Sequence, residues 1–182
     1  MKRRTFNKSF LTGLASMGGF MLVNPDAEAR VYMTPGEAAK LFWGSQKLTP
    51  VSVTVTSAQR KQIKKASGIK VRAGKMAVWK TESGGWFILD AVIGKHEFID
   101  YAVALEADGS VKGIEILVYR EGYGDAVVNA RWRDQFTGKR HTDSVSHGKE
   151  IMNISGATMS CRHITEGMNR LLNMWDIVFR KV

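Results

Sequence analysis

Cysteine, proline and histidine are scarce in this chain of 182 residues, which has one Cys, three Pro and four His. A single cysteine excludes a disulfide within the chain and a cysteine-rich metal site. A histidine cluster would need residues that lie far apart in the sequence. The apolar fraction of 44% and the charged fraction of 24% exclude a long disordered or collagen-like chain. The length indicates one domain, or at most one domain plus appendages.

Acidic residues are also few, since 17 Asp and Glu face 27 Lys and Arg and leave a net charge of +10. An excess of positive charge can indicate a nucleic-acid-binding protein. Much of the charge is concentrated in one segment, residues 60–75. A run of this kind is typical of a solvated helix face and loop, which we favour over a nucleic-acid site. An acidic redox partner or an anionic lipid surface fits the charge better.

Residues 1–29 have the three parts of an export signal. A basic start that includes Arg3 and Arg4 precedes a mildly apolar stretch over residues 9–23, and Ala27-x-Ala29 is a small-x-small cleavage site. The apolar stretch is too short to favour a spanning helix. The alternative is a basic N-terminus ahead of a core helix.

The run Arg3-Arg4-Thr5-Phe6-Asn7-Lys8 resembles the twin-arginine export signal, with Lys2 and Asn7 at two positions where other residues are usual. We therefore expect a periplasmic protein with one domain over residues 30–182, and an anchor in the membrane if the signal stays uncleaved. This compartment predicts no nucleic-acid partner.

The remaining sequence predicts an α+β fold, with an antiparallel sheet of about four strands flanked by helices. The predicted strands are Lys75–Glu82, Trp86–Ile93, His96–Glu106 and Val111–Arg120, and Lys47–Thr56 is a further strand or extended segment. Four helices are predicted. The first follows a capping box at Thr34, and the second covers Ala58–Ala66 with Ser57 as its cap. The third covers Ala126–Gln135, and the fourth extends from Thr158 to Phe179. The last helix is amphipathic, with Cys161 on its buried stripe and His163 on its polar face.

Small residues stand at the start of that last helix, where Ser155, Gly156 and Ala157 precede Thr158. They let another group approach the backbone closely, and the N–H groups and dipole of a first turn favour an anion. A hydroxyl at this position could be esterified to a phosphate. The simpler alternative is that Ser155 is the N-cap and Thr158 an ordinary first-turn residue.

Ser155-Gly156-Ala157-Thr158 resembles the flavinylation motif of the covalent FMN-binding domain family. That domain occurs in flavin subunits of the Rnf and sodium-translocating NADH:quinone reductase complexes and in small periplasmic proteins. The family also has a glycine-containing loop after Arg-Glu, then Trp, then Gln-Phe-x-Gly-Lys, which match residues 120–124, Trp132 and residues 135–139 here. The resemblance covers roughly residues 84 to 172. One departure is Met152, which stands where the family usually has Asp, with Glu150 nearby.

The resemblance implies a covalent FMN, joined through its phosphate to the Thr158 hydroxyl by a periplasmic flavin transferase that uses FAD and magnesium. Ser160 is the alternative acceptor. By the same resemblance, Glu121, Tyr123 and Gly124 would lie beside the isoalloxazine ring, and Lys139 would supply positive charge near the phosphate or flavin N1. A plain turn or surface role is the alternative for each of these four residues.

The resulting hypothesis is an exported electron-transfer flavoprotein that relays electrons between a membrane-bound redox partner and a periplasmic acceptor. It would be an electron carrier or a module of an oxidoreductase rather than a self-sufficient enzyme. His163 would be a solvated residue or, alternatively, a flavin-facing proton donor. Two other hypotheses stay open, a ligand-binding module without covalent flavin and an assembly module of a membrane redox complex.

Overall fold

The computed structural model describes residues 29–71 and 76–182 of the chain. Except for Ala29, the predicted export signal lies outside the described residues. Within the described part of the chain, no helix has the length and apolar character needed to cross a membrane.

In the part of the chain that the structure describes, the sheet has six strands: β1 Arg30–Val31, β2 Leu48–Pro50, β3 Ala77–Thr81, β4 Trp86–Ile93, β5 Phe98–Leu105 and β6 Val111–Tyr119. Each strand is antiparallel to its neighbours, and their order is β1-β6-β5-β4-β3-β2. The prediction of an α+β fold is confirmed, but the count of about four strands is wrong. The two additional strands, β1 and β2, are edge strands of two and three residues, too short to show an alternating pattern.

Strand β2 occupies only the beginning of the segment predicted as strand or extended. It ends at Pro50, and Val51 then donates one more backbone hydrogen bond to Val78, 2.9 Å long. Beyond that point the chain stays outside the ladder, yet Val53 and Val55 bury their side chains in the core. The alternation of apolar residues here therefore reflects burial of one side rather than strand pairing.

Among the described residues, four α-helices flank the sheet: α1 Pro35–Trp43, α2 Ser57–Ser67, α3 Ala130–Arg133 and α4 Thr158–Ile177. Short 3-10 segments at Asp125–Val128 and Asp134–Phe136 flank α3, and a third follows α4 at Phe179–Lys181. The predicted helix over Ala126–Gln135 is thus divided into three short pieces. The N-cap of α2 is Thr56 rather than the predicted Ser57, because Thr56 and Gln59 form a capping box.

Each face of the sheet is covered by a different layer. Helices α4 and α2 cover the face that carries Trp86, Tyr101 and Tyr119, and α1 covers the opposite face around Trp79 and Phe87. Cys161 lies fully buried in the larger core, and burial raises the pKa of its thiol. The prediction that this cysteine is a core residue is therefore confirmed.

A buried ion pair fixes the middle of α4 to the sheet. Arg170 pairs with Asp90 of β4, and Tyr101 donates a 2.5 Å hydrogen bond to the same carboxylate. Burial raises the pKa of Tyr101 well above its ordinary value, so the phenol remains a donor. Gly167 allows this close approach, since a Cβ there would collide with the Tyr101 hydroxyl.

Candidate functional site at the start of helix α4

Helix α4 begins without a capping side chain. Its N-cap is Ala157, and no side chain of the described residues accepts from the N–H groups of its first turn, whereas α1 and α2 both begin with a capping box. The alternative that Ser155 is the N-cap is therefore wrong. First-turn N–H groups have no partner within a helix, so those of α4 can receive an anion.

Thr158 is the accessible hydroxyl of this helix start. Its side chain is exposed, and its Oγ1 accepts a 3.1 Å hydrogen bond from Asn153 Nδ2. The backbone before it turns at Gly156, which has a φ of +82° and open space where a Cβ would stand. By contrast, Ser160 is only 4% exposed, and its Oγ lies 2.8 Å from the Tyr119 hydroxyl. Of the two predicted acceptors, only Thr158 can be reached from outside.

The loop Gly122–Gly124 packs against the first turn of α4. Gly124 has a φ of +91°, and a Cβ there would lie 2.8 Å from the Tyr119 hydroxyl and 3.4 Å from Ala157 Cα. The carbonyl of Tyr123 accepts a 2.5 Å hydrogen bond from Tyr119, while the Tyr123 ring is 91% exposed. The structure thus brings Gly124 and the backbone of Tyr123 to the helix start.

Glu121 has a different environment from the two residues that follow it. Its buried carboxylate accepts hydrogen bonds from the backbone N–H groups of His96 and Glu97, the second 2.9 Å long. A Cβ at Gly94 would lie 2.6 Å from the same carboxylate oxygen. Glu121 therefore supports the turn between β4 and β5 from beneath.

His163 contacts that same turn from the helix. Its Nδ1 lies 2.9 Å from the Gly94 carbonyl, and because a carbonyl only accepts, Nδ1 carries the proton. The ring is half-buried, so the expectation of a solvated histidine is wrong. His163 ties α4 to the β4–β5 turn.

Lys139 lies at the other end of β6 from the helix start. Its carbonyl accepts a 2.9 Å hydrogen bond from Val111, the first residue of β6, whereas Tyr119 at the last residue contacts Ser160. At a rise of roughly 3.3 Å per residue, the two ends of this strand are about 26 Å apart. The structure does not bring Lys139 together with Thr158.

Two side chains from α3 and its 3-10 extension hold the segment before the motif. Trp132 Nε1 donates to the Met152 carbonyl at 2.8 Å, and Gln135 Oε1 accepts from the Met152 N–H at 2.7 Å. The Met152 side chain itself is 62% exposed. Glu150 points to another turn, where its carboxylate accepts from the Ser146 N–H at 3.2 Å, and backbone N–H groups lower its pKa. Glu150 therefore does not take the place of the family's Asp.

Sequence reasoning missed three contacts of this site: the hydrogen bond from Asn153 to Thr158, the hydroxyl contact between Tyr119 and Ser160, and the anchoring of Met152. In the sequence, Trp132 and Gln135 stand out only as parts of a family pattern. Ser160 lies 41 residues from Tyr119, so no local spacing could have paired them.

A groove of about 220 Å³ lies further along α4, lined by His163, Glu166 and Arg170 on one side and by residues 91–93 of β4 on another. Thr158 lies outside it. In the described residues, no group of three or more His, Cys, Asp or Glu side chains could hold a metal ion. The exposed start of α4, rather than the groove, combines a hydroxyl with unpartnered N–H groups.

Comparison with known proteins points to one family. Its description is "FMN-binding domain", and its pattern matches residues 94–173. Comparison with curated proteins gives no match. Among solved structures, NqrC of Shewanella oneidensis has a TM-score of 0.55 and 20% identity, covering 80% of this chain and 88% of its own. A second structure, of a Na(+)-translocating NADH-quinone reductase subunit from Parabacteroides distasonis, has a TM-score of 0.45 and 13% identity, with 78% of this chain and 83% of that chain covered.

The likeness to the Shewanella protein concerns the fold, since one residue in five is identical. The family match spans the loop Gly122–Gly124, the segment around Met152 and nearly all of α4. Residues 94–173 of this chain are therefore similar to the FMN-binding domain family.

Proposed function

We propose that this chain carries FMN attached covalently to Thr158 and transfers electrons as a module of a membrane-associated redox system. The observation that carries the proposal is an exposed Thr158 hydroxyl on an uncapped helix start, inside the region that matches the FMN-binding domain family. NqrC, the protein in the Shewanella structure, has the same fold at low identity.

The residues at the helix start fit a phosphate. First-turn N–H groups lack side-chain partners, and the open space beside Gly156 leaves room for the phosphate oxygens. Arg162 is exposed one helical turn beyond Thr158, so its positive charge lies on the same side of the helix. Helix dipole, amides and guanidinium all stabilise a negative charge here.

Attachment would proceed by transfer from FAD. Thr158 Oγ1 forms a bond to the phosphorus of the FMN half, AMP leaves with the electrons of the broken P–O–P bond, and the hydroxyl proton passes to the flavin transferase. Asn153 Nδ2, which donates to Oγ1, orients the hydroxyl without removing its proton. The product has one negative charge at the position that the helix start favours.

The surroundings of Thr158 also fit a planar ring. Tyr123, Met152 and Met159 are all exposed although they are large and apolar. All three belong to segments that meet at the helix start, because Gly124 packs against Ala157 and Asn153 bonds to Thr158. Exposed apolar groups in such segments are typical of a ligand or interaction site. When bound, FMN supplies one- and two-electron transfer, and these side chains would hold its ring. Tyr123 would supply the aromatic face, and Gly124 would hold the loop against the helix start.

The cellular setting is part of the proposal. The basic start, apolar stretch and small-x-small site of residues 1–29 support export to the periplasm. There the protein would accept electrons from a membrane-bound donor and pass them to a periplasmic acceptor, after modification by a periplasmic flavin transferase.

A second candidate function is a ligand-binding or assembly module without covalent flavin. Met152 favours it, because this exposed side chain replaces the acid of the family's motif and Glu150 is engaged elsewhere. In this case the same helix start would hold a phosphate-bearing ligand reversibly.

Mass spectrometry distinguishes the two candidates. The full chain is co-expressed with a periplasmic flavin transferase, denatured and weighed. We expect an adduct of one FMN that Thr158→Ala abolishes. Thr165→Val is the matched control, since Thr165 is a buried hydroxyl residue of α4 that bonds only within the helix, to Cys161. An unmodified mass, with a transferase shown to be active on another substrate, would contradict covalent attachment, and FMN released on denaturation would support the second candidate.

A further inference from the structure

We propose that the hydroxyls of Ser160 and Tyr119 form a latch that positions the loop Gly122–Gly124 and the first turn of α4 for attachment at Thr158. Ser160 is then a positioning residue rather than an acceptor. The functional consequence rests on the proposed covalent attachment, whereas the latch itself does not.

The latch is a directed chain of two hydrogen bonds. Tyr119 donates its only hydroxyl proton to the Tyr123 carbonyl, 2.5 Å away. Ser160 must therefore donate across the 2.8 Å contact to the Tyr119 oxygen. Both side chains are buried, Tyr119 completely. In a buried setting, the loss of either hydroxyl leaves a polar group without its partner.

Close packing reinforces these bonds. A Cβ at Gly124 would lie 2.8 Å from the Tyr119 hydroxyl and 3.1 Å from Ser160 Oγ, so the loop fits against both groups at once. Tyr119 is the last residue of β6 and pairs with Ile99 on one side and Arg30 on the other. The sheet is thus the fixed reference to which both the loop and the helix start are held.

The latch also explains how α4 can begin without a cap. Helix ends fray, and a capping side chain normally prevents this by accepting from first-turn N–H groups. Those groups would then be lost to a ligand. Ser160 stabilises the first turn through its side chain instead, and leaves the N–H groups free.

The position of Ser160 sets the direction of Thr158. At 3.6 residues per turn, side chains two residues apart point about 200° apart around the helix. Because Ser160 points to the sheet, Thr158 points to the exterior, as observed. The latch fixes the rotation of the first turn and hence the orientation of the Thr158 hydroxyl toward the exterior.

Two latch variants and two matched controls test the proposal on the full chain. Ser160→Ala and Tyr119→Phe each remove one hydroxyl of the latch. Thr165→Val removes a buried hydroxyl of the same helix, and Ser67→Ala removes one from a buried serine of α2. Circular dichroism and thermal unfolding select conditions in which all four variants are folded.

The first measurement is hydrogen exchange, without flavin, of the peptides that contain Ala157 and Cys161, whose backbone N–H groups are hydrogen-bonded at the start of α4. We expect exchange about two- to tenfold faster in each latch variant, the value of one buried neutral hydrogen bond, and no further increase in the double variant. The controls should leave these peptides unchanged. Exchange in the latch variants at the wild-type rate would overturn the latch.

The second measurement is the rate of flavin transfer to the chain by an active transferase. We expect kcat/KM to fall by the same two- to tenfold in the latch variants and to stay unchanged in the controls. Faster exchange with an unchanged transfer rate would overturn the positioning role. If the wild type forms no adduct, the proposed function fails, and hydrogen exchange alone still decides whether the latch exists.

Discussion

Gly124 and Gly156 allow a direct test of how tightly the candidate site is packed. Both have positive φ, +91° and +82°, so replacement by Ala costs each about 1–2 kcal/mol of backbone strain. They differ in surroundings, because a Cβ at Gly124 would lie 2.8 Å from the Tyr119 hydroxyl and 3.1 Å from Ser160 Oγ, whereas one at Gly156 meets nothing within 4 Å.

Overpacking of a buried site adds about 1–3 kcal/mol to the cost of a substitution. We therefore expect Gly124→Ala to lower the free energy of unfolding by about 2–5 kcal/mol and Gly156→Ala by about 1–2 kcal/mol. Urea unfolding of the full-length variants, followed by circular dichroism and extrapolated to water, measures both values. Equal losses for the two variants, within about 0.5 kcal/mol, would refute the close packing of the loop against the helix start.

Three further predictions concern other parts of the molecule. Asp90→Ala leaves Arg170 buried without its partner and should cost about 3–5 kcal/mol in urea unfolding. Asp108→Ala, in a half-exposed pair, should cost far less, and equal costs would contradict the buried pair. Met152→Asp places the family's acid on a 62% exposed side chain at little burial cost, so the FMN adduct should accumulate faster by mass spectrometry; an unchanged rate would show that the acid is not needed. Backbone and hydroxyl donors lower the pKa of Glu37 in the capping box of α1. The stability that Glu37 contributes is therefore present above its ordinary pKa of about 4.3 and is lost as pH falls through the lower folded value. Glu37→Gln should flatten the decline of thermal stability in that acid range, and an unaltered decline would argue against the capping box.

The central strands were predictable because each is a run of apolar residues bounded by glycine turns. Strand β4 has the predicted bounds, Trp86–Ile93, and β6 differs by one residue. The sequence also contains the signal for the cap of α2, although Ser57 was predicted in its place. Thr56 with Gln59 fits a capping box, and Ser57 has no such partner. The edge strands could not be found, because two or three residues carry no period.

The candidate site was predictable only where residues are neighbours in the chain. The motif placed Thr158 at the first residue of α4, and the structure shows the same position. The destination of the Glu121 carboxylate and the separation of Lys139 depend on tertiary contacts, so no local pattern contained them. The same holds for Ser160, whose partner Tyr119 becomes a neighbour only when β6 and α4 pack together.

Helix α4 is clamped to the sheet at two points, by Ser160 near its start and by Arg170 ten residues later, which at 1.5 Å per residue are about 15 Å apart. Two fixed contacts on one rigid helix prevent both translation along its axis and rotation about it. The start of the helix is therefore preorganised by the whole domain, so that little conformational entropy remains to be lost when a group is attached there. A group attached at the start of this helix would keep one distance and one orientation relative to the sheet, which the proposed electron transfer requires.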